Sequence, residues 1–288
     1  MLVHNKKTAI IYAFFDREES RRNLEYFFRC GGYNYPRHDY YLVVNLDPTK
    51  ETQTKEFILP YSTQVNTLYR RNSGYDFEAY SFALHYIKYM VGFETYDYYF
   101  FLNASAFGPV SASPDWLERY HELFQQTNVH LVGSTINVCT DSNLTKVCQP
   151  HVQTYAFMMD RECVHLALQP IFGPEYTTLE DVVKFQEMGL SRYVLQHGWN
   201  ISCLVHEYQG LDYRSMVNDP NPTSRHGDVL FLNKCCFGRD VQPTEIIFTK
   251  SNRPLHKTII SYILKHVFCV EKQQHDGQQQ GKKLVRHA

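Results

Sequence analysis

Short apolar runs alternate with amphipathic segments along most of the chain. Thr8 to Phe15 and Tyr40 to Leu46 are apolar runs of strand length. The segment between them places Leu24, Phe27 and Phe28 on one face of a helix. A helix that connects two strands forms a βαβ unit, and this crossover implies that the strands are parallel. The pattern therefore predicts an α/β domain built on a parallel sheet.

One predicted strand ends abruptly in polar side chains. Tyr98 to Leu102 is an apolar run, and Asn103 and Ser105 follow it directly. In open α/β sheets, ligands bind just beyond the carboxyl ends of the strands. The segment is therefore a candidate site for a polar ligand. An ordinary strand end followed by a turn has the same pattern, and this stretch alone favours that simpler interpretation.

The rest of the pattern predicts further strands and helices. The strands are expected at residues 57–60, 130–136, 154–159, 200–205, 228–232 and 245–249. The helices are expected to begin near residues 77, 113, 178 and 254. The first of these helices should bury one stripe of side chains, formed by Ala79, Ala83, Ile87 and Met90.

The domain organisation follows from the absence of repeats and linkers in the sequence. We expect one domain over residues 1–270, with a nucleotide-binding half at about 8–110 and a substrate half at about 111–270. Residues 271–288 are rich in Gln, Lys and Gly and poor in apolar residues. We interpret them as a polar tail without a fixed fold.

The composition excludes several classes of protein. The 288 residues are 43% hydrophobic and 20% charged, which is typical of a globular chain. A net charge of -1 provides no basic field, so we expect no nucleic-acid partner. No stretch approaches the roughly 20 apolar residues of a membrane span, and the first residues lack the apolar segment of a signal peptide. We therefore expect a cytoplasmic protein whose 8 cysteines are free thiols.

A polar loop precedes the helix that begins near residue 77. It contains Arg71, Asn72 and Asp76. Guanidinium groups bind phosphates in a bidentate manner, and an aspartate can accept a hydrogen bond from a ribose hydroxyl or a base N–H. A solvated helix N-terminus, at which the helix dipole favours Asp76, explains these residues equally well.

Two carboxylates between Thr178 and Gln196 are candidate general bases. They are Glu187, in a block that continues to Arg192, and Asp181, one helical stretch earlier. A hydroxyl is a poor nucleophile until a base takes its proton in the transition state, so one positioned carboxylate suffices. A lone glutamate on a helix is more often a solvent-facing residue, and by itself this pattern favours that interpretation.

Four other polar residues are candidate ligand-binding side chains. His151 and Gln153 precede a predicted strand and are suited to a sugar or a phosphate, although a buried histidine with a satisfied hydrogen bond is at least as common there. Lys250 and Arg253 follow a predicted strand and are suited to neutralising a departing diphosphate, or simply belong to a helix start. A P-loop, a GxGxxG fingerprint and a GxSxG elbow are absent from the sequence, which argues against NTPases, classical dehydrogenases and α/β-hydrolases.

Several segments occur in an order that matches one known family. They are Tyr12-Ala-Phe-Phe, Asn72-Ser-Gly-Tyr-Asp-Phe, Tyr96-Asp-Tyr-Tyr-Phe-Phe-Leu-Asn-Ala-Ser, Pro150-His-Val-Gln, Glu187-Met-Gly-Leu-Ser and Glu245-Ile-Ile-Phe-Thr-Lys-Ser-Asn-Arg. From roughly Thr8 to Leu255, the chain resembles glycosyltransferases of algae, bacteria and large algal viruses that are related to rhamnan-synthesis F proteins. It is also similar to chlorovirus enzymes that build capsid glycans, among them a xylosyltransferase.

The resemblance implies a GT-A-like fold, in which a Rossmann-type mixed sheet binds a nucleotide sugar at its strand ends. Many sugar-nucleotide enzymes carry Asp-x-Asp where this chain has Asn103-Ala104-Ser105, and members of this family often read Asn-Asp-Ser. Neutral oxygens are weak ligands for Mg²⁺ or Mn²⁺, which prefer carboxylates. A Mn²⁺ or Mg²⁺ ion near Asn103 and Ser105 is therefore left open, and no cofactor is assigned as certain.

The resemblance further implies an inverting transfer from a nucleotide-sugar donor to a hydroxyl of a glycan or glycoprotein. A UDP-sugar is the favoured donor, with UDP-xylose as the pentose candidate, and a viral protein would act in the host cytoplasm.

The resemblance also implies a role for each candidate residue. We expect Phe14, Arg71, Asn72 and Asp76 to hold the nucleotide. Asn103 and Ser105 would face the diphosphate or the donor sugar, and His151 and Gln153 would contact the acceptor or a sugar. Glu187 would be the base with Asp181 in reserve, and Lys250 and Arg253 would stabilise the leaving diphosphate.

Two other classes of protein fit parts of the sequence. A carbohydrate-binding protein with the same fold and no catalysis would explain the non-acidic Asn103-Ala104-Ser105, and it would bind glycans without binding nucleotides. A nucleotide-sugar pyrophosphorylase would need a glycine-rich loop with Lys or Arg after the first strand, and Phe14-Phe15-Asp16 does not provide one.

Overall fold

The computed structural model describes residues 6–33, 38–111, 113–138, 150–215, 228–235 and 238–253. The strands are β1 (Thr8–Phe15), β2 (Asp39–Leu46), β3 (Asn66–Arg71), β4 (Tyr98–Asn103), β5 (Ala106–Phe107), β6 (Val129–Gly133), β7 (Ile136–Val138), β8 (Pro150–Val152), β9 (Ala156–Asp160), β10 (Asn200–Cys203) and β11 (Thr249–Lys250). The α-helices are α1 (Glu18–Arg29), α2 (Glu51–Ser62), α3 (Tyr75–Tyr86), α4 (Glu118–Leu123), α5 (Arg161–Ala167), α6 (Leu179–Asp181), α7 (Met188–Gln196) and α8 (Pro243–Ile246). A π-helical turn, Ile87–Val91, extends α3, and another, Val182–Glu187, precedes α7.

A 7-stranded sheet with the order β10-β6-β9-β4-β1-β2-β3 organises the described part of the chain. Neighbouring strands in it are parallel except at β9, which runs antiparallel to both β4 and β6. All the other strands of this sheet therefore end at the same edge. The predicted fold class, a GT-A-like α/β architecture with a mixed and mostly parallel sheet, is confirmed.

The two central strands are buried on both faces. β1 and β4 are continuous apolar runs, as expected for strands that are covered on both sides. The ring of Phe27 in α1 packs against Tyr12 of β1, with centroids 5.5 Å apart. The ring of Tyr80 in α3 packs against Phe101 of β4, with centroids 5.2 Å apart. Because Tyr12 is paired with Leu102 and not with Phe101, α1 and α3 lie on opposite faces of the sheet.

One edge of the sheet differs from the prediction. Residues 57–60, predicted as a strand, lie inside α2, where Ile58 is buried. The strand at this edge is β3, whose side chains are exposed or half-exposed. An edge strand with polar side chains contains no hydrophobic run, so the sequence pattern assigned its last residues to a loop.

Two predicted strands in the last part of the described chain are also wrong. Residues 228–232 form turns, and within 245–249 residues 245–246 end α8 while only residue 249 belongs to β11. Gln242 and Glu245 form a capping box with Pro243 in the first turn, which begins a short helix. Ile247 then has a φ of 63°, which ends this helix before β11.

The stripe predicted for α3 is correct only over its first three positions. Ala79, Ala83 and Ile87 are fully buried, but Met90 is 70% exposed. The backbone N–H of Gly92 donates to the carbonyl of Ile87 at 2.7 Å, five residues back, as in a π-helix. This wider turn rotates Met90 away from the stripe that the α-helical period of 3.6 predicts.

Most of the remaining predicted elements are present. The strands expected near residues 130, 154 and 200 are β6, β9 and β10, and the segment from 179 to 196 is helical throughout. The helix predicted from Pro254 and the polar tail at 271–288 lie outside the described residues. Within the described part, no helix combines the length and apolar character needed to cross a membrane.

A buried histidine links α4 to the start of β1. The Nε2 atom of His121 lies 3.1 Å from the hydroxyl of Thr8, and the ring is 4.7 Å from that of Tyr98. The side chain is only 6% exposed. Burial, together with the charges of His38 and Lys6, lowers the pKa of His121 to about 3.

We expect the free energy of unfolding to fall as the pH decreases from about 6.5, the pKa of an unperturbed histidine. Between this value and a pKa of about 3, His121 is neutral in the folded chain and protonated in the unfolded chain. The unfolded state then binds more protons, so His121 contributes a loss of up to about 1.4 kcal/mol per pH unit. Chemical denaturation at pH 7, 6 and 5 measures this slope, which should be shallower in His121→Gln.

The control is His206→Gln, because the His206 side chain is exposed. It should follow the wild-type slope. If His121→Gln and the wild type lost stability equally over this pH range, His121 would not be the histidine responsible.

Candidate functional site

Polar side chains from α3 and β4 form one cluster at the carboxyl ends of the central strands. Asn103 ends β4 beside Ala13 of β1. Its amide Nδ2 donates to Oδ2 of Asp76, in the first turn of α3, at 2.8 Å. Its Oδ1 accepts from the backbone N–H of Ser105 at 3.0 Å and from the Ser105 hydroxyl at 2.7 Å. Three of the predicted site residues are therefore hydrogen-bonded to one another.

The turn at residues 103–105 is held from two further sides. Asn23 of α1 donates from Nδ2 to the carbonyl of Ala104 at 2.9 Å and to the hydroxyl of Ser251 at 3.0 Å. The backbone N–H of Ser251 donates to the carbonyl of Ser105 at 2.9 Å. Lys250, the residue before it, belongs to β11, which pairs with β5 directly after this turn. The pairing places a cation from late in the sequence beside the strand end.

The charges around Asp76 identify its neighbours. The pKa of Asp76 is raised to about 6, because burial outweighs the hydrogen bond from Asn103, which acts in the opposite direction. Lys250 and Arg17 also lower the pKa of Asp76 through their positive charges, whereas the charge of Glu187 raises it. The structure thus places the charges of Glu187, Lys250 and Arg17 within electrostatic range of Asp76, which is hydrogen-bonded to Asn103.

The two candidate bases differ in the hydrogen bonds that their carboxylates make. Glu187 ends a π-helical turn that packs against α3. Its side chain is partly buried, and within the described part of the chain no hydrogen bond engages its carboxylate. Asp181 accepts from the hydroxyl of Thr178 at 2.7 Å and donates its backbone N–H to the same oxygen at 3.2 Å. Because Asp181 acts in this helix cap, Glu187 is the more available carboxylate.

Arg70, the first cation of the predicted polar loop, fixes the loop before α3. Its side chain is 9% exposed and forms a short ion pair with Glu78. It also donates to the side-chain oxygen of Asn45 at 2.5 Å and to the carbonyl of Ser73 at 3.1 Å. These contacts occupy Arg70 in holding the loop in place.

The side chains of Arg71 and Asn72 are exposed at the end of β3 and are accessible to a ligand. The ring of Phe14 is not. It is 0% exposed and stacks on Phe57 of α2 with a centroid distance of 5.9 Å. A fully buried ring has no face available to a nucleotide, so the expected contact between the Phe14 side chain and the nucleotide is not supported.

Gln153 and Arg253 are joined through a carboxylate that the sequence pattern did not single out. Asp228 accepts from Nε2 of Gln153 at 3.1 Å and from Nε of Arg253 at 2.8 Å. Gln153 is 3% exposed and also accepts from the hydroxyl of Thr135 at 2.7 Å. His151 is 6% exposed. Gln153 and His151 therefore lie within the protein core, and Arg253, whose side chain is 27% exposed, keeps limited access to a ligand.

The residues at the strand end are a poor fit for a divalent metal. Asn103 and Ser105 offer neutral oxygens, and Oδ1 of Asn103 already accepts two hydrogen bonds. Among the described residues, no group of three or more His, Cys, Asp or Glu side chains is placed to hold a metal ion. Mg²⁺ and Mn²⁺ prefer several charged oxygens, and the turn at residues 103–105 supplies none.

Arg17 is a candidate that sequence reasoning missed. It lies two residues beyond β1, its side chain is exposed, and its guanidinium rests 5.0 Å from the ring centre of Phe15. It makes no ion pair within the described chain. The preceding carboxylate, Asp16, is instead paired with Arg21 at 2.6 Å. The position of Arg17 just past a central strand is the signal that could have identified this residue.

We expect Asp228→Ala to lower the free energy of unfolding by about 2 kcal/mol, because it leaves buried Gln153 and the cation of Arg253 without their shared acceptor. Chemical denaturation measures this loss. The control is Asp212→Ala, whose carboxylate is 48% exposed and pairs with Arg214 on the surface. That pair should contribute less than about 1 kcal/mol. Equal losses in the two variants would show that the Asp228 contacts do not stabilise the fold.

Two solved structures show a distant overall likeness to the chain. One is the mannosyltransferase PcManGT from Pyrobaculum calidifontis in complex with GDP-Man and Mn²⁺, at 11% identity and a TM-score of 0.45, covering 69% of this chain and 55% of that one. The other is S. aureus TarS 1-349, at 12% identity and a TM-score of 0.43, covering 71% of this chain and 59% of that one. The chain therefore spans little more than half the length of either structure.

Sequence comparison gives the more specific result. No curated protein matches the chain. The sequence profile of the family described as rhamnan synthesis protein F (RgpF) matches residues 47–268, which is more than half of the chain. The matched region begins after β2 and includes Asp76, Asn103, Glu187 and Lys250. The chain belongs to the rhamnan synthesis protein F family.

Proposed function

We propose that the protein is an inverting glycosyltransferase that moves a sugar from a nucleotide-sugar donor to a hydroxyl of a glycan acceptor. The observation that carries this proposal is the cluster at the end of β4. There the hydrogen-bonded pair Asp76 and Asn103 lies near a cation, Lys250, and near Glu187, a carboxylate with no hydrogen bond from any described residue. A base and a cation near one strand end are the groups that a transfer between a hydroxyl and a diphosphate requires.

The proposed donor site uses residues from several elements. Arg71, Asn72 and Asp76 hold the nucleotide, and they come from the end of β3 and the start of α3. Asn103 and Ser105 face the diphosphate or the donor sugar at the end of β4. The backbone of this turn is fixed by hydrogen bonds to neighbouring elements, so these side chains are held in place before a ligand binds.

The proposed reaction is a single displacement at the anomeric carbon of the donor sugar. Glu187 takes the proton from the acceptor hydroxyl, and the hydroxyl oxygen forms a bond to the anomeric carbon. The bond between that carbon and the diphosphate oxygen breaks, and the nucleoside diphosphate leaves with the electron pair. Lys250 and Arg17 stabilise the developing negative charge, and Arg253 is a weaker candidate because it is paired with Asp228.

The finer identity of the substrates is proposed from the family resemblance of the sequence. We propose a UDP-sugar as the donor, with UDP-xylose as the pentose candidate, and a glycan or glycoprotein as the acceptor. For a chlorovirus protein, the acceptor would be a capsid glycan. Because His151 and Gln153 are buried, we propose that they act on the acceptor side only by shaping the core beneath it.

A carbohydrate-binding protein with no catalysis is the second candidate. The observation that favours it is the neutral turn Asn103-Ala104-Ser105, which supplies no carboxylate at the strand end. Such a protein would bind glycans and would have no affinity for nucleotide sugars. Binding of a nucleoside diphosphate therefore separates this candidate from the glycosyltransferase.

We expect Glu187→Gln to lower kcat by at least about 100-fold, because a general base contributes roughly 10²–10⁴ to the rate. Affinity for the donor should stay within about threefold of wild type, since this substitution keeps the size of the side chain. Turnover is measured as release of nucleoside diphosphate in the presence of acceptor.

Two variants serve as controls for Glu187→Gln. Glu180→Gln changes an exposed glutamate of the same helical segment and should keep wild-type turnover. Asp181→Asn weakens the cap at Thr178 and should cost about 1 kcal/mol of stability with little loss of turnover. If Glu187→Gln kept turnover within a few-fold of wild type, or if Asp181→Asn alone abolished it, the assignment of the base would be wrong.

A further inference from the structure

Tyr75 has a backbone conformation that tyrosine rarely adopts. Its φ is 54°, in the left-handed region, and it follows Gly74, whose φ is 58°. A side chain with a Cβ atom is disfavoured there, because Cβ approaches the neighbouring carbonyl oxygen. Glycine is the residue that tolerates this region best, so a tyrosine at position 75 costs stability compared with glycine.

Neighbouring contacts impose this conformation on the loop. The carbonyl of Gly74 accepts from the backbone N–H of Glu78 at 3.3 Å. Glu78 is itself held by the ion pair with Arg70 and by the hydroxyl of Ser73 at 2.6 Å. The chain therefore turns sharply from β3 into α3, and the first turn of α3 presents Asp76 to Asn103.

The strained residue exposes its ring. The side chain of Tyr75 is 44% exposed, whereas Phe77 and Tyr80, which follow it in α3, are buried. In the described part of the chain, the Tyr75 ring stacks on no other aromatic ring and lies under no cation. Among the described residues, no ring stacking or cation contact of this side chain compensates for the disfavoured backbone. Tyr75 thus combines a disfavoured backbone with an exposed ring beside a polar cluster, which points to contact with a ligand.

We propose that the ring of Tyr75 stacks on the nucleobase of the donor nucleotide. This inference rests on the proposed function, in which the diphosphate lies near Asn103, Lys250 and Arg17. Asp76 is bonded to Asn103, and its Cα atom is about 3.8 Å from that of Tyr75. The ribose separates the base of a nucleoside diphosphate from the diphosphate. With the diphosphate near Asn103, the base would therefore lie beyond Asp76, at Tyr75. Every nucleobase has a flat face that an aromatic ring can contact.

Tyr75 also resolves a mismatch between the sequence and the structure. The sequence suggested an aromatic side chain, Phe14, in the nucleotide site, but its ring is fully buried. Tyr75 supplies an accessible ring in the same half of the chain. It belongs to the loop that also contains Arg71 and Asn72, whose side chains are exposed.

The test compares nucleoside diphosphates with a ligand that has no base. Calorimetric titrations use UDP, GDP, dTDP and inorganic pyrophosphate with the wild type and with Tyr75→Ala, Tyr75→Phe and Tyr75→Gly. Tyr75→Ala should weaken binding of the preferred nucleoside diphosphate by about tenfold and leave pyrophosphate affinity within about twofold. Tyr75→Phe should bind as the wild type does. Tyr75→Gly should lose affinity as Tyr75→Ala does, yet its thermal unfolding midpoint should equal or exceed that of the wild type.

The matched control is Tyr89→Ala. Tyr89 is 73% exposed in the π-helical turn that ends α3, and its loss should change neither affinity nor the order of preference among the ligands. An equal effect of Tyr89→Ala and Tyr75→Ala would overturn the inference, because it would reflect a general loss of exposed aromatic surface.

The affinities of the wild type and of Tyr75→Ala also separate failure of the stacking from failure of the proposed function. If the wild-type protein bound no nucleoside diphosphate more tightly than pyrophosphate, or bound no ligand at all, both this inference and the proposed function would be overturned. Wild-type protein that prefers a nucleoside diphosphate, together with unchanged affinity in Tyr75→Ala, would overturn the stacking alone. The same would follow if Tyr75→Ala weakened pyrophosphate and the nucleoside diphosphate equally, or if it raised only the KM for the acceptor.

Discussion

The hydrogen bond of 2.8 Å between Asp76 and Asn103 is the contact on which the candidate site depends. It joins α3, which covers one face of the sheet, to the end of the central strand β4. Burial alone would favour the neutral form of Asp76, and its pKa is accordingly raised to about 6. A carboxylate in such a place needs a donor and nearby cations, because an unpaired buried charge is costly. The amide of Asn103 supplies the donor, and Lys250 and Arg17 supply the positive charge.

This constraint explains why distant segments converge at one strand end. Asn103 can donate to Asp76 and accept from Ser105 at the same time because its amide has both functions. A carboxylate at position 103 would instead face Asp76 with a like charge. In the proposed reaction, Lys250 and Arg17, rather than a metal held by residues 103–105, would balance the charge of the diphosphate. The pairing of β11 with β5 is what delivers one of those cations.

The sequence predicted the parts of the fold that depend on strong local signals. β1, β2 and β4 are buried, continuous apolar runs, and their parallel arrangement follows from the helices that connect them. β3 was missed because an edge strand with half-exposed side chains has no such run. The exposed position of Met90 could not be predicted either, because a π-helical turn changes the period on which the stripe was drawn.

The site was predictable in its residues more than in its contacts. The sequence proposes Asp76, Asn103 and Lys250 from a loop and strand ends, and Glu187 from a helical segment. Their proximity depends on pairings over long sequence separations, and so does the link from Gln153 to Arg253 through Asp228. Phe14 illustrates the opposite error, because an aromatic residue near a strand end was assigned to the ligand although it belongs to the core. Sequence position alone does not distinguish a buried ring from an exposed one.

The most direct test of the account is a thermal-shift screen of the wild-type protein with UDP-, GDP- and dTDP-sugars, each with and without Mn²⁺. A ligand at a hundred times its dissociation constant adds about 2.7 kcal/mol of stability, which raises the unfolding midpoint measurably. The account predicts a shift with one class of nucleotide sugar, and it predicts that the shift persists without Mn²⁺ because Lys250 and Arg17 balance the diphosphate. A shift that required Mn²⁺ would contradict the proposed role of these cations. No shift with any nucleotide sugar would contradict the glycosyltransferase itself and favour the carbohydrate-binding protein.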